Sequence, residues 1–114
     1  MAIPELTLRR VQKMLDTYCE NKIPPNARHQ VQLVHRKRGN AVVLYERRPD
    51  WLDPSQHTEM AIARFVYAPE TGTWSLKYAD RNDRWHLFED FCGVTDFSEL
   101  LEEVEEDATG IFWG

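Results

Sequence analysis

Cysteine is scarce in this chain: Cys19 and Cys92 are too few and too far apart for a disulfide framework or a structural zinc site. A reducing, cytoplasmic setting with both thiols free is therefore expected. No apolar run approaches the length that crosses a bilayer, and the N-terminus lacks a positive region followed by an apolar stretch, so neither a membrane span nor a leader is expected. No glycine loop could cradle a phosphate and no serine sits in a nucleophile elbow. His29, His35, His57 and His86 form neither a helical pair nor a Cys/His cluster, so no metal and no cofactor are expected. A nuclease of the carboxylate–x–lysine type needs an acid two places before a strand lysine, and Lys77 has Ser75 there.

What remains is a chain of 114 residues, 42% apolar and 29% charged, the size and composition of one folded domain. Its charge of −5 is unevenly spread. Residues 1–50 carry ten Lys or Arg against five Asp or Glu, whereas residues 51–114 carry four against fourteen. A weakly acidic whole argues against coating DNA by net charge, but the basic half permits a local anion-binding surface. Equally, the two halves could attract each other within one fold.

The apolar pattern predicts a helix, a run of strands and a second helix. Pro4 and Glu5 suit a helix start, and Leu8, Val11, Leu15 and Tyr18 form one stripe, giving a helix over about 4–21. The Ile23-Pro24-Pro25 run stops it, because a proline disfavours helical geometry in the residue before it. Strands follow over about 28–89. Gly39-Asn40 joins residues 28–38 to 41–48, so Arg38 should face Ala41, and Val31, Leu33 and His35 should share the core face with Val42, Leu44 and Glu46. Gln30, Gln32, Val34, Arg36, Val43, Tyr45 and Arg47 take the other face. After a loop at 49–58, Ala61, Ala63, Phe65 and Tyr67 alternate against Trp74, Leu76 and Tyr78. Across the Asp80-Arg81-Asn82-Asp83 turn, Tyr78 is expected to meet Trp85, with Leu87 continuing the apolar face. Asp96 and Glu99 have capping-box spacing, which starts a second helix over about 96–107. The tail at 108–114 is apolar and should pack on the domain or on a partner. The fold class is thus α+β: a five-stranded antiparallel meander with an N-terminal and a C-terminal helix on one face.

In such a meander alternate strand ends share an edge of the sheet. One edge should gather Arg28, Gln30, Glu46, Arg47, Arg48, Asp50 and Trp51 with Asp80, Arg81, Asn82, Asp83, Arg84 and Trp85. Arginines beside tryptophans can grip a phosphate and stack a base, although Arg–aromatic packing at a loop entry has the same composition. An inward Glu46 diagonal to His35 suits a base or a carboxylate paired with an arginine.

Several segments taken together resemble a known family. They are Asn21-Lys22-Ile23-Pro24-Pro25, Arg28-His29-Gln30-Val31, Glu46-Arg47-Arg48-Pro49 with Trp51, Thr71-Gly72-Thr73-Trp74, Asp80-Arg81-Asn82-Asp83-Arg84-Trp85-His86, and Asp107-Ala108-Thr109-Gly110-Ile111-Phe112-Trp113-Gly114. Over about residues 18–114 the chain is similar to the bacterial domain of unknown function 3024, departing at Ala108, where that pattern has proline. The resemblance implies a small bacterial domain and brings no activity, substrate or cofactor with it. Its motif positions coincide with much of the edge named above.

The leading expectation is a non-catalytic binding module, with the Arg/Trp/Asp edge taking an anionic ligand or a nucleic acid. A second reading is a metal-dependent nuclease-like hydrolase with Glu46 as base, His86 as acid or ligand and Asp80 as metal carboxylate. Strand alternation speaks against it, since His86 should point outward while Glu46 points inward. A third is an accessory or immunity-type partner protein that binds through the acidic helix and Phe112 and Trp113. A monomer or small homo-oligomer fits all three.

Overall fold

A computed structural model describes residues 3–27, 29–107 and 110–113. The first helix, α1, runs over Glu5–Lys22 with Pro4 at its N-cap, and Glu5 is bonded to Arg9 one turn on at 2.8 Å. Val11 and Leu15 are its buried residues. Ile23, held extended by the following proline, ends it. Five strands follow: β1 (Gln32–Arg38), β2 (Ala41–Pro49), β3 (His57–Ala68), β4 (Thr73–Ala79) and β5 (Trp85–Leu87). They form one antiparallel sheet in chain order. The last helix, α2, spans Phe97–Glu106.

The turns set the registers. Gly39 supplies a φ of +61°, and Arg38 faces Ala41 across the β1–β2 hairpin, as the two-residue loop requires. Asn40 ties that hairpin to β3, its Nδ2 donating to Tyr67 O at 3.1 Å and its own carbonyl accepting from Tyr67 N at 2.8 Å. Tyr67 faces Trp74 and Phe65 faces Leu76, the pairings expected from alternation.

Two registers differ from expectation. A bulge opposite Leu44 and Tyr45 gives β3 one extra residue, because Leu44 faces Ala63 while Tyr45 faces Ala61. Ile62 and Ala63 are therefore both buried in succession, and Ala61 joins the Tyr45 face instead of the core. At the β4–β5 turn Asp83 adopts a φ of 60°, and the loop closes through Asp80 N to Arg84 O at 2.9 Å. That extra residue makes Tyr78 face His86 and Ala79 face Trp85. Trp85 and Leu87 consequently lie on the face away from the core.

One apolar core joins both helices to one face of the sheet. Val11 and Leu15 of α1, Leu33, Val42, Leu44, Phe65, Trp74 and Leu76 of the sheet, and Phe97, Leu100, Leu101 and Val104 of α2 all belong to it. Phe97 sits between Phe65 and Trp74, with ring centroids 4.8 and 5.0 Å away. Asp96 caps α2 by accepting from the Ser98 amide at 3.0 Å and the Ser98 hydroxyl at 2.7 Å. Asp107 closes the helix in the left-handed conformation. Its two carboxylate oxygens accept from the amides of Phe112 (3.0 Å) and Trp113 (2.8 Å). This clasp seats Phe112 in the core at 6% exposure, and Trp113 Nε1 donates to Val104 O at 2.8 Å. Residues 111–113 thus pack on the domain itself, while Ala108, Thr109 and Gly114 of the expected tail lie outside the described residues.

Candidate functional site

Glu46 and the Asp80–Arg84 turn lie toward the same edge of the sheet, but that edge is stepped. Lys77 faces Arg64 and β4 stops at Ala79, whereas β3 begins at His57. The β2–β3 hairpin therefore overhangs β4 by roughly five residues, about 16 Å. Trp51 and Leu52 sit at the tip of this arm, 86% and 74% exposed, in a loop pinned by Leu52 N donating to Asp50 Oδ1. At the arm's base Glu46 faces Leu33 on one side and Met60 on the other, and its Oε1 accepts from Arg48 Nε at 2.5 Å. Gln30 is exposed in the turn before β1, and Arg28 lies outside the described residues.

The Asp80 turn is a self-contained unit. Asp80 Oδ1 accepts from the amides of Asn82 (2.8 Å) and Arg84 (3.0 Å), and Oδ2 lies 2.7 Å from His86 Nε2. The His86 bond above all, then the backbone amides, hold the Asp80 carboxyl at about 2. His86 stacks on Tyr78, with centroids 5.4 Å apart. Arg81, Asn82, Asp83 and Arg84 point to solvent. Between this turn, Met60–Ile62 and residues 110–113 lies a cleft of about 310 Å³.

The expectation that His86 points away from Glu46 is overturned by the register: facing Tyr78, it lies on the core-side parity, as Glu46 does. Glu46 is engaged by Arg48 and Asp80 by His86, and no metal-holding cluster of three or more His, Cys, Asp or Glu occurs among the described residues.

Charge gathers instead on the sheet face that no described helix covers. Following the registers, Arg36, Val43, Arg64, Lys77 and Leu87 form one rung across all five strands. Arg38 and Arg47 flank it on β1 and β2. Among the described residues the paired strands of this face therefore hold five cations against a single carboxylate, Glu59, in a chain whose net charge is −5. Glu59 forms a two-pronged bond with Arg36, at 2.5 and 2.6 Å. That bond, reinforced by the charges of Arg36, Arg47 and Arg38, holds its carboxyl below the usual range. Two aromatic rings lie among the cations, Tyr45 with the Arg36 guanidinium 5.2 Å from its centroid and Trp85 with that of Arg64 at 6.0 Å. The Nε groups of Arg47 and Arg64 are buried with no hydrogen-bond partner among the described residues. Val43, 2% exposed, is covered at this rung, where Arg36 and Arg64 flank it on the neighbouring strands.

The edge reading passed over Arg36, Arg38, Arg64, Lys77, Tyr45 and Glu59. Strand alternation carried part of the signal, since Arg64 and Lys77 are out of phase with Phe65, Tyr67, Leu76 and Tyr78. It assigned Trp85 to the wrong face, and so broke the cluster.

These features define a small α+β domain whose single sheet is covered by helices on one side and presents a basic, aromatic surface on the other. The chain belongs to the DUF3024 family (domain of unknown function), whose model matches residues 3–114 and so takes in the N-terminal helix as well as the segments that carry the resemblance. No curated protein and no solved structure matches it.

Proposed function

We propose that this protein is a non-catalytic module that binds a polyanion on the open face of its sheet. The observation that carries the reading is the rung of Arg36, Arg64 and Lys77, flanked by Arg38 and Arg47 and opposed by Glu59 alone. Like charges placed on neighbouring strands cost stability. A domain tolerates them where an outside anion supplies the counter-charge.

The acidic remainder of the chain confines attraction to this face and makes it short-ranged and salt-sensitive. Fluorescence anisotropy with fluorescein-labelled heparin, titrated over a series of salt concentrations, tests the reading. Affinity should fall steeply with salt, and an Arg64→Gln, Lys77→Gln variant should bind more weakly with a shallower salt slope. No binding at low salt, or equal binding by the variant, refutes it.

A further inference from the structure

We infer that the polyanion is single-stranded nucleic acid, with its bases stacked on Tyr45 and Trp85. This rests on the polyanion reading above and names its ligand class. A sulfated sugar or a polyphosphate offers only charge, and cations alone would suffice to hold it. Here two of the cations lie over aromatic rings on the same open face. Each Arg–aromatic pair presents a planar, partly exposed platform beside a phosphate-binding group, the combination that binds single strands without sequence preference.

The spacing suits a strand lying across the sheet. Tyr45 is on β2 and Trp85 on β5, three strand spacings apart, about 14 Å. That is roughly four nucleotides of a stacked single strand at about 3.4 Å each. Arg64 and Lys77 lie on the strands between the two rings, where the intervening phosphates would pass.

A duplex fits poorly. Its base faces are hidden, so the rings would contribute nothing. On this face of the sheet the element that could enter a groove is the β2–β3 arm, since α1 packs on the other side, and residues 46–59 carry four carboxylates (Glu46, Asp50, Asp53, Glu59) against two arginines. Its net negative charge repels a groove lined by phosphates. An acidic protein segment would satisfy the cations but would leave the platforms unused.

The test uses the full chain and labelled probes: twelve-residue oligothymidylate and oligouridylate, a duplex of equal length, heparin and polyglutamate. Both single strands should bind more tightly than the duplex, heparin or polyglutamate at equal salt. Tyr45→Leu with Trp85→Leu should weaken single-strand binding about tenfold or more while leaving heparin binding unchanged. Tyr45→Phe with Trp85→Phe, which keeps a ring at each place, should retain most of it, and matching melting curves would show that the variants fold.

Preference for one single strand would tell DNA from RNA and still support stacking. Heparin binding without oligonucleotide binding would overturn this inference and leave the polyanion reading standing. Loss of both would end both. Polyglutamate or duplex binding as tight as single-strand binding, or a parallel loss of heparin binding in the leucine variant, would overturn the stacking role.

Discussion

Phe112→Ala tests whether the tail is a structural part of the domain. The ring is almost wholly enclosed and lies 5.6 Å, centroid to centroid, from Phe88. Removing it takes roughly 150 Å² of apolar surface out of burial, worth about 4 kcal/mol by area. A cavity term would add to this and local relaxation would offset it, so about 3 kcal/mol is the expected loss. For a domain of this size that corresponds to a fall in Tm of about 12 °C. Urea unfolding followed by circular dichroism reads the change as a lower midpoint at unchanged slope. A loss below about 1 kcal/mol would refute the packing argument and revive Phe112 as a contact for a partner.

Three further outcomes follow from the same geometry. Glu59→Gln removes the one carboxylate facing the cations and releases Arg36, so heparin should bind about threefold tighter or more at low salt; weaker binding would mean that the ion pair positions Arg36 for the ligand. Asp80 titrates lower in the folded chain than the roughly 3.9 of an unfolded one. Its bonds therefore stabilise fully above about pH 4, and that contribution fades as the pH falls toward 2. The Tm difference between wild type and Asp80→Asn should shrink over this window, and a constant difference would contradict the assignment. Burial, then the nearby Asp16 and Glu20, push the Cys19 thiol up to about 11, while Cys92 is exposed. Iodoacetamide at mildly alkaline pH should label Cys92 first and the half-buried Cys19 more slowly; equal rates would count against the raised Cys19 thiol.

The meander was legible because glycine turns count residues. Gly39 and Gly72 sit where positive φ is needed, and they fix the β1–β2 and β3–β4 pairings. The parity of β5 was not legible, because the left-handed residue in its turn is Asp83, which nothing in the pattern distinguishes from its neighbours. The bulge in β3 was hidden for another reason: Ala61, Ile62 and Ala63 are all apolar, so either phase looks like a core strand. The seating of the tail depends on Asp107 reaching amides five and six residues ahead, a contact that spacing alone does not announce. As for the site, the shared edge followed from topology, whereas the basic face emerges only when the phases of five strands are known together.

The overhanging β2–β3 arm divides the molecule's tolerance to alteration. Its loop, residues 50–56, adds no side chain to the apolar cluster, and beyond Arg47 and Glu59 only a two-stranded ladder holds it. A protease nick placed there would leave α1, β1 and β2 on one piece and the remaining strands with α2 on the other. The two pieces would stay joined through the core, which makes the tip the natural place to attach a reporter without disturbing either face of the sheet.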